Sequence, residues 1–118
     1  MIEFNIDPVA KPRMTRRDIW AKRPCVVNYY KFKDQLLKLA KKAKFKLTDE
    51  YKVEFIIAMP DSWNSKKKKF FEGTPHKKRP DLDNLLKALN DCMLVEDSSI
   101  WQITASKTWG KEGKIRIY

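Results

Sequence analysis

Between Arg79 and Asp97 the chain reads RPDLDNLLKALNDCMLVED, which gathers Asp81, Asp83, Asp91, Glu96 and Asp97 directly behind the basic run HKKRP. Pro80 biases Arg79 toward an extended backbone. If that geometry continues, Asp81 and Asp83 project to one side, two residues apart. Two converging hard oxygen donors suit Mg²⁺ or Mn²⁺, ions that favour carboxylate and water and share their coordination sphere with phosphate. Asp97 is the candidate third donor, because it lies just past the next helical stretch, where a chain reversal would return it. A purely structural reading competes. An aspartate at a helix start accepts backbone N–H groups and meets the positive end of the dipole, and Asp83 with Lys87 makes an i,i+4 pair worth about 0.2–0.5 kcal/mol. The charge balance argues against that reading for the set as a whole. In a protein of net charge +11, carboxylates beside the most basic segment repel any phosphate the rest attracts, unless a cation stands between them.

The elements that must position these residues follow from periodicity. IEFNID alternates Ile2, Phe4 and Ile6 with polar residues, the pattern of a half-buried strand. PVAKPRMTRRDIWAKRPCV, with three prolines and six basic residues, reads as an exposed basic loop. From Asn28 to about Lys46, Tyr29, Phe32, Leu36, Leu39, Ala40 and Ala43 recur at helical spacing beneath a lysine-rich outer side. YKVEFIIAMP places Tyr51, Val53, Phe55, Ile57 and Met59 on one side of a second strand, and Ile56 and Ala58 imply cover on the other face near its end. The stretch from Asp61 to Pro80 has little periodicity and reads as a long loop bearing Lys66, Lys67, Lys68, Lys69, Lys77, Lys78 and Arg79. Leu82, Leu85, Leu86, Leu89 and Met93 then mark a short helix from about Asp83 to Met93. SIWQITASKTW and KIRIY read as two strands joined hairpin-fashion across GKEG, with the glycines at positions of positive φ. The predicted order is β-α-β-α-β-β: an α+β (mixed α/β) fold in one domain over residues 1–118, two main helices on a small mixed sheet.

Composition narrows the function. With 118 residues, 42% of them hydrophobic, the chain can fill one modest core. A surface with 26 Lys and Arg against 15 Asp and Glu selects a polyanionic partner, with nucleic acid first. No apolar run approaches the ~18 residues a membrane helix needs, and MIEFNIDPVA lacks a signal peptide's basic start and apolar stretch. The expectation is a cytoplasmic protein without membrane association. Cys25 and Cys92 form no disulfide framework, and with His76 as the single histidine they cannot build an ordinary zinc site.

RPDLDNLLKALND followed by VEDSSI resembles the RusA-like family of Holliday junction resolvases, small endonucleases common in prophages. The D-x-D-N-x-x-K core, the aspartate at the helix end and the acidic pair after it agree in order and spacing. The resemblance implies a homodimeric, Mg²⁺-dependent endonuclease (Mn²⁺ as the alternative ion) acting on four-way DNA junctions in recombination and repair. It implies metal-binding roles for Asp81, Asp83 and Asp97 and a catalytic role for Lys87, while Asp91 and Glu96 match positions of less defined importance. KPRMTRR, with Lys11, Arg13, Arg16 and Arg17, resembles the family's basic N-terminal segment.

Those four residues and the seven basic residues of the 61–80 stretch are the candidate phosphate contacts. Phe70 and Phe71, interleaved with lysines, suit either stacking on unpaired bases or packing on the sheet. His76 reads as a merely exposed loop histidine, with phosphate contact or proton transfer as the competing roles. Trp20, Trp63, Trp101 and Trp109 read as core or dimer contacts. Two rivals to the nuclease stand. One is a non-catalytic nucleic-acid-binding module whose acids are caps and ion-pair partners; the other is a structural or adaptor protein that neither binds nor cuts DNA.

Overall fold

A computed structural model describes residues 1–13, 23–93 and 97–118, with Asp97 described in its backbone only. Arg16, Arg17, Trp20 and Glu96, named above as candidates, lie outside the described residues. The described elements are β1 (Ile2–Phe4), α1 (Pro24–Lys42), β2 (Glu50–Ala58), α2 (Ser65–Phe71), α3 (Leu82–Cys92), a 3₁₀ turn (Asp97–Ser99), β3 (Gln102–Gly110) and β4 (Lys114–Ile117). The strands form a mixed sheet in the order β1-β4-β2-β3. β2 pairs parallel with β3 and antiparallel with β4, and β1 pairs antiparallel with β4. The fold is the α+β class expected, with two main helices on a small sheet.

α1 begins four residues earlier than its apolar stripe implies, because Pro24 occupies the first helical position, where a missing N–H costs nothing. It ends at Lys42. Lys44 takes a left-handed φ of 53°, and Phe45 turns back to meet Phe4 edge-on at 5.6 Å. Tyr29, Phe32, Leu36 and Ala40 of α1 and Leu85, Ala88, Leu89 and Cys92 of α3 pack on Tyr51, Val53, Phe55, Ile115 and Ile117 of the sheet. Fully burying a leucine such as Leu89 contributes about 1.5–3 kcal/mol, so this layer fixes where α3 lies. Parallel pairing aligns Tyr51, Val53, Phe55 and Ile57 with Ile103, Ala105, Lys107 and Trp109. The strand period then puts all eight on the helix-covered face.

β3 and β4 are not a hairpin: β2 lies between them, and residues 111–113 cross over its end, where Met59 N–H donates to the Gly110 carbonyl (2.9 Å). The glycines serve close approach rather than positive φ. A Cβ on Gly110 would overlap Ile56 Cγ2, and one on Gly113 would overlap Asp7. Ile56 is buried there on the open face, as its sequence position implied, whereas Ala58 is exposed. That face otherwise carries charge. Arg116 on β4 donates to Glu3 (2.8 Å) and Glu54 (3.2 Å), its neighbours on the flanking strands. The Arg116 hydrogen bond holds the Glu3 carboxyl below its ordinary value.

The 61–80 stretch is not a long loop. Asn64 accepts from Lys67 N–H (2.8 Å) and starts α2. Gly73, at φ 80°, ends the turn after that helix, with open space around it, so here it is the backbone angle that calls for glycine. The following residues run along the outer edge of β3 as a strap. Gly73 N–H donates to the Trp109 carbonyl (2.8 Å), Trp109 N–H to Thr74 (3.0 Å) and His76 N–H to Lys107 (3.0 Å). The sequence hid this helix because four consecutive lysines present no apolar stripe, although lysine is a good helix former. Among the described residues no helix is long and apolar enough to cross a membrane.

Candidate active site

α3 carries the acidic motif, and its first turn decides what each aspartate can do. Asp81 is the N-cap, with extended φ and ψ of −70° and 142°, and the helix starts at Leu82. The extended geometry therefore stops at Asp81 rather than running on to Asp83, and the two carboxylates are related by the opening turn of a helix. This corrects the expectation of a strand-like pair. Asp81 holds the capping position, yet its side chain accepts no capping hydrogen bond, and it is exposed. Asp83 sits in the first turn, and its only ion pair among the described residues is a loose one. Its Oδ2 lies 3.9 Å from Lys87 Nζ, with the two side chains 70% and 63% exposed. Such a pair is worth little to stability.

Asp91, two turns further along the same helix, is in a different state. Lys11 Nζ lies 2.5 Å from its Oδ2, and the buried Tyr29 donates its hydroxyl to the same oxygen (3.1 Å). Burial alone would raise the Asp91 carboxyl. The hydrogen bonds from Lys11 and Tyr29 and the charges of Lys11 and Lys33 outweigh that and hold it below the usual carboxylate value. Burial and the neighbouring Asp91 push the Tyr29 hydroxyl the other way, well above the ordinary tyrosine range. Lys11 N–H also donates to the Asn84 carbonyl (3.0 Å), so the basic N-terminal segment is fastened along α3 at two points. A cleft of about 480 Å³ opens there, lined by Lys11, Lys87, Asn90, Asp91, Ile100 and Ile103.

The strap reaches Asp81 from the other side. After His76 its backbone leaves β3, and Lys107 takes over. Lys107 Nζ donates to the carbonyls of Lys78 (2.5 Å) and Pro80 (2.7 Å), the latter adjoining Asp81. Nothing in the aspartate motif signals this residue. Its one sequence signal is a charge in the inward register of an alternating strand, beside Ile103, Ala105 and Trp109.

His76, expected exposed, is buried at 4% exposure against Trp109, with ring centroids 4.2 Å apart, and its Nδ1 has no partner among the described residues. Burial, reinforced by the charge of Lys107, holds its imidazole below the usual histidine value. Trp63 packs on Trp109 (4.8 Å) and Phe71 (5.1 Å), which seats α2 on the sheet. Phe70 is 74% exposed and Trp101 is 65% exposed, so neither belongs to the core. Cys25 is exposed, whereas Cys92 is buried and burial raises its thiol to about 11.

Of the basic candidates, Lys66, Lys67 and Lys69 on α2 and Lys77, Lys78 and Arg79 on the strap are exposed, and Lys68 is half-buried. Lys67 Nζ stands 4.3 Å over the Trp63 ring. Arg13 is exposed and its carbonyl accepts from Arg23 (2.7 Å).

The sequence matches the family Endodeoxyribonuclease RusA over residues 4–118, essentially the whole chain. The chain belongs to the RusA endodeoxyribonuclease family. Members of this family are nucleases that resolve Holliday junctions. No curated protein matches the sequence significantly.

Family membership raises the question of a divalent ion, and the residues at the head of α3 can be tested for it. Among the described residues no three His, Cys, Asp or Glu side chains cluster as a metal site. Two hard-oxygen donors do fit. Asp81 is exposed without a capping partner and Asp83 is only loosely paired, both on the first turn of one helix. Two carboxylates with further coordination positions left for water and phosphate is the pattern Mg²⁺ favours over a closed protein cage. Asp97, the third candidate, belongs by its backbone to the 3₁₀ turn just before β3, and its side chain lies outside the described residues.

Proposed function

We propose that this chain is a Mg²⁺-dependent endonuclease that cuts four-way DNA junctions, with Asp81, Asp83 and Asp97 holding the ion and Lys87 acting beside it. The observation that carries the proposal is Asp81. It stands at a helix N-cap where its carboxylate would ordinarily bond the backbone, and instead it is exposed beside Asp83, in a chain that matches a junction-resolving family nearly end to end. The divalent ion supplies Lewis-acid polarisation of phosphate and a more acidic water.

The chain's own residues do the rest. Lys87, one helical turn beyond Asp83 and more than half exposed, offers its ammonium to the negative charge that builds on the phosphate or orients the attacking water. Lys11, fixed by Asp91 and the Asn84 carbonyl, holds the N-terminal segment along the cleft and lowers the repulsion a free Asp91 would exert on phosphate. Lys66 to Lys69 on α2, and Lys77, Lys78 and Arg79 on the strap that leads into Asp81, contact the backbone of the DNA arms without reading sequence. Arg13, Arg16 and Arg17 extend that surface. Two copies act together as a homodimer, one on each of two opposed strands.

The test is direct: purified protein with labelled four-way junction and linear duplex, each in Mg²⁺ (with Mn²⁺ as a parallel) and in EDTA. Paired cuts in the junction that need the divalent ion are the expected result. Junction binding without cleavage at any metal concentration would favour the non-catalytic module instead.

A further inference from the structure

A lysine in the inward register of a strand carries its stem over apolar neighbours and its ammonium to whatever polar groups lie at the rim. Lys107 lies in that position: its register partner is Phe55, which is 1% exposed, and the inward residues before and after it are Ala105 and Trp109. Its hydrogen-bond partners are two backbone carbonyls, those of Lys78 (2.5 Å) and Pro80 (2.7 Å). Those carbonyls lie where backbone pairing has run out. The strap is bonded to β3 at Gly73, Thr74 and His76, and among the described residues no backbone hydrogen bond holds residues 77–80. On the other side of the gap the Asp81 carbonyl is fixed by α3, accepting from Leu85 N–H (3.1 Å). One side chain therefore ties the segment that delivers Asp81 to the sheet, through short hydrogen bonds of the charge-assisted kind.

We propose that Lys107 is a positioning residue for the metal-ligand carboxylate of Asp81, setting its place through the Lys78 and Pro80 carbonyls without touching ion or substrate. This rests on the reading of Asp81 as a metal ligand. It explains how an aspartate whose side chain makes no capping bond can still be held in register with Asp83: the backbone is fixed on both sides and the carboxylate is left open. Outer contacts that orient a ligand typically change metal affinity or activity by about 10–100-fold when removed, and a shift of about 1 Å in a reacting group costs about 10² in rate.

The experiment compares Lys107→Met, Lys107→Arg and Asp81→Asn with the unmodified protein. Mn²⁺ binding to the protein alone is followed by electron paramagnetic resonance, and junction binding in EDTA by gel shift. Lys107→Met is expected to weaken Mn²⁺ binding by about tenfold or more while junction affinity stays within about twofold, since one partly covered ammonium facing the strap adds little to phosphate binding. Lys107→Arg, which keeps a charged donor, is expected to restore most of the Mn²⁺ affinity. If Lys107→Met fails to give a native circular dichroism spectrum, Lys107→Gln, with a neutral donor on a shorter stem, is measured in the same way. Asp81→Asn separates the two levels of the reading. Normal Mn²⁺ binding in Asp81→Asn overturns the metal site and this assignment with it. Weakened binding in Asp81→Asn beside normal binding in folded Lys107→Met, or in Lys107→Gln where that variant replaces it, overturns the assignment alone.

Discussion

Replacing Lys87 by methionine separates a catalytic lysine from a decorative one, because the two readings differ in free energy by nearly an order of magnitude. The substitution keeps most of the stem and deletes the ammonium. Lys87 Nζ and Asp83 Oδ2 are 3.9 Å apart with both side chains more than half exposed. At that separation unit charges in water attract by only about 1 kcal/mol, and side-chain entropy and salt reduce the net for an exposed i,i+4 pair to about 0.2–0.5 kcal/mol. If that pair is all Lys87 does, Lys87→Met lowers the melting temperature by about 1–2 °C and leaves cleavage unchanged. If the ammonium meets charge developing on the phosphate, its loss costs about 10² in rate, or about 2.7 kcal/mol. The assay is single-turnover cleavage of a four-way junction at saturating protein across a Mg²⁺ titration, so that weakened metal affinity is not mistaken for slower chemistry. A rate equal to that of the unmodified protein at saturating Mg²⁺ refutes a catalytic role and leaves Lys87 as a surface partner of Asp83.

Asp81→Asn, Asp83→Asn and Asp97→Asn are each expected to abolish cleavage while junction binding is kept or strengthened, because each removes a ligand and a negative charge near phosphate; gel shift and cleavage on the same samples check this. Asp81→Asn should also change stability by less than about 0.5 kcal/mol in urea unfolding, since the carboxylate makes no capping bond to lose. Neutralising Lys66 to Lys69 together is expected to weaken junction and linear duplex alike and to flatten the salt dependence by about 0.9 for each phosphate that the protein no longer neutralises, with α2 still present by circular dichroism. For His76 the sign follows from a folded value depressed by burial: the unfolded chain takes up a proton first as the pH falls. Its contribution to stability is therefore complete above the ordinary value of 6.5 and lost as the pH drops below it. Urea unfolding between pH 7.5 and 5.5 should show this slope, and His76→Phe should remove it.

Periodic elements are legible because burial imposes the period. Tyr29, Phe32 and Leu36 predict α1 and Tyr51, Val53 and Phe55 predict β2 for the same reason, that each set must face one core. Sequence reasoning fails where position is set by partners distant in the chain. The strap at 73–80 has no period of its own, since its order derives from hydrogen bonds to Lys107 and Trp109, some 30 residues later. Likewise β3 and β4, close in sequence and separated by a turn-like GKEG, are parted by β2, a pairing choice that local turn chemistry cannot encode. The lysines around His76 suggest an exposed ring, whereas that ring packs on Trp109.

The candidate residues are legible in the sequence, but the partners that set each one's state are not. The family resemblance implies metal roles for Asp81 and Asp83 and leaves Asp91 without a defined one, and nothing in the motif gives the partners of Asp91. In the fold, Asp91 receives both Lys11 and the Tyr29 hydroxyl on a single oxygen, while Asp81 makes no capping bond and Asp83 meets only a loose, solvent-screened lysine. The distinction follows from where each stands on α3. Asp91 falls where the helix packs on α1, so a carboxylate there must be compensated. Asp81 and Asp83 fall at the exposed N-terminal end, where the helix dipole tolerates negative charge without a cation. A basic protein can then keep carboxylates beside the surface proposed to bind phosphate on two different terms. The half-buried Asp91 is neutralised by the framework it packs on, and those at the helix head are left open to the ion proposed for them. On this argument Lys11→Met should disturb junction affinity through a newly unpaired Asp91 as well as through its own missing charge. The double variant Lys11→Met with Asp91→Asn should recover part of that affinity; no recovery would mean that Lys11 meets phosphate itself rather than shielding it from Asp91.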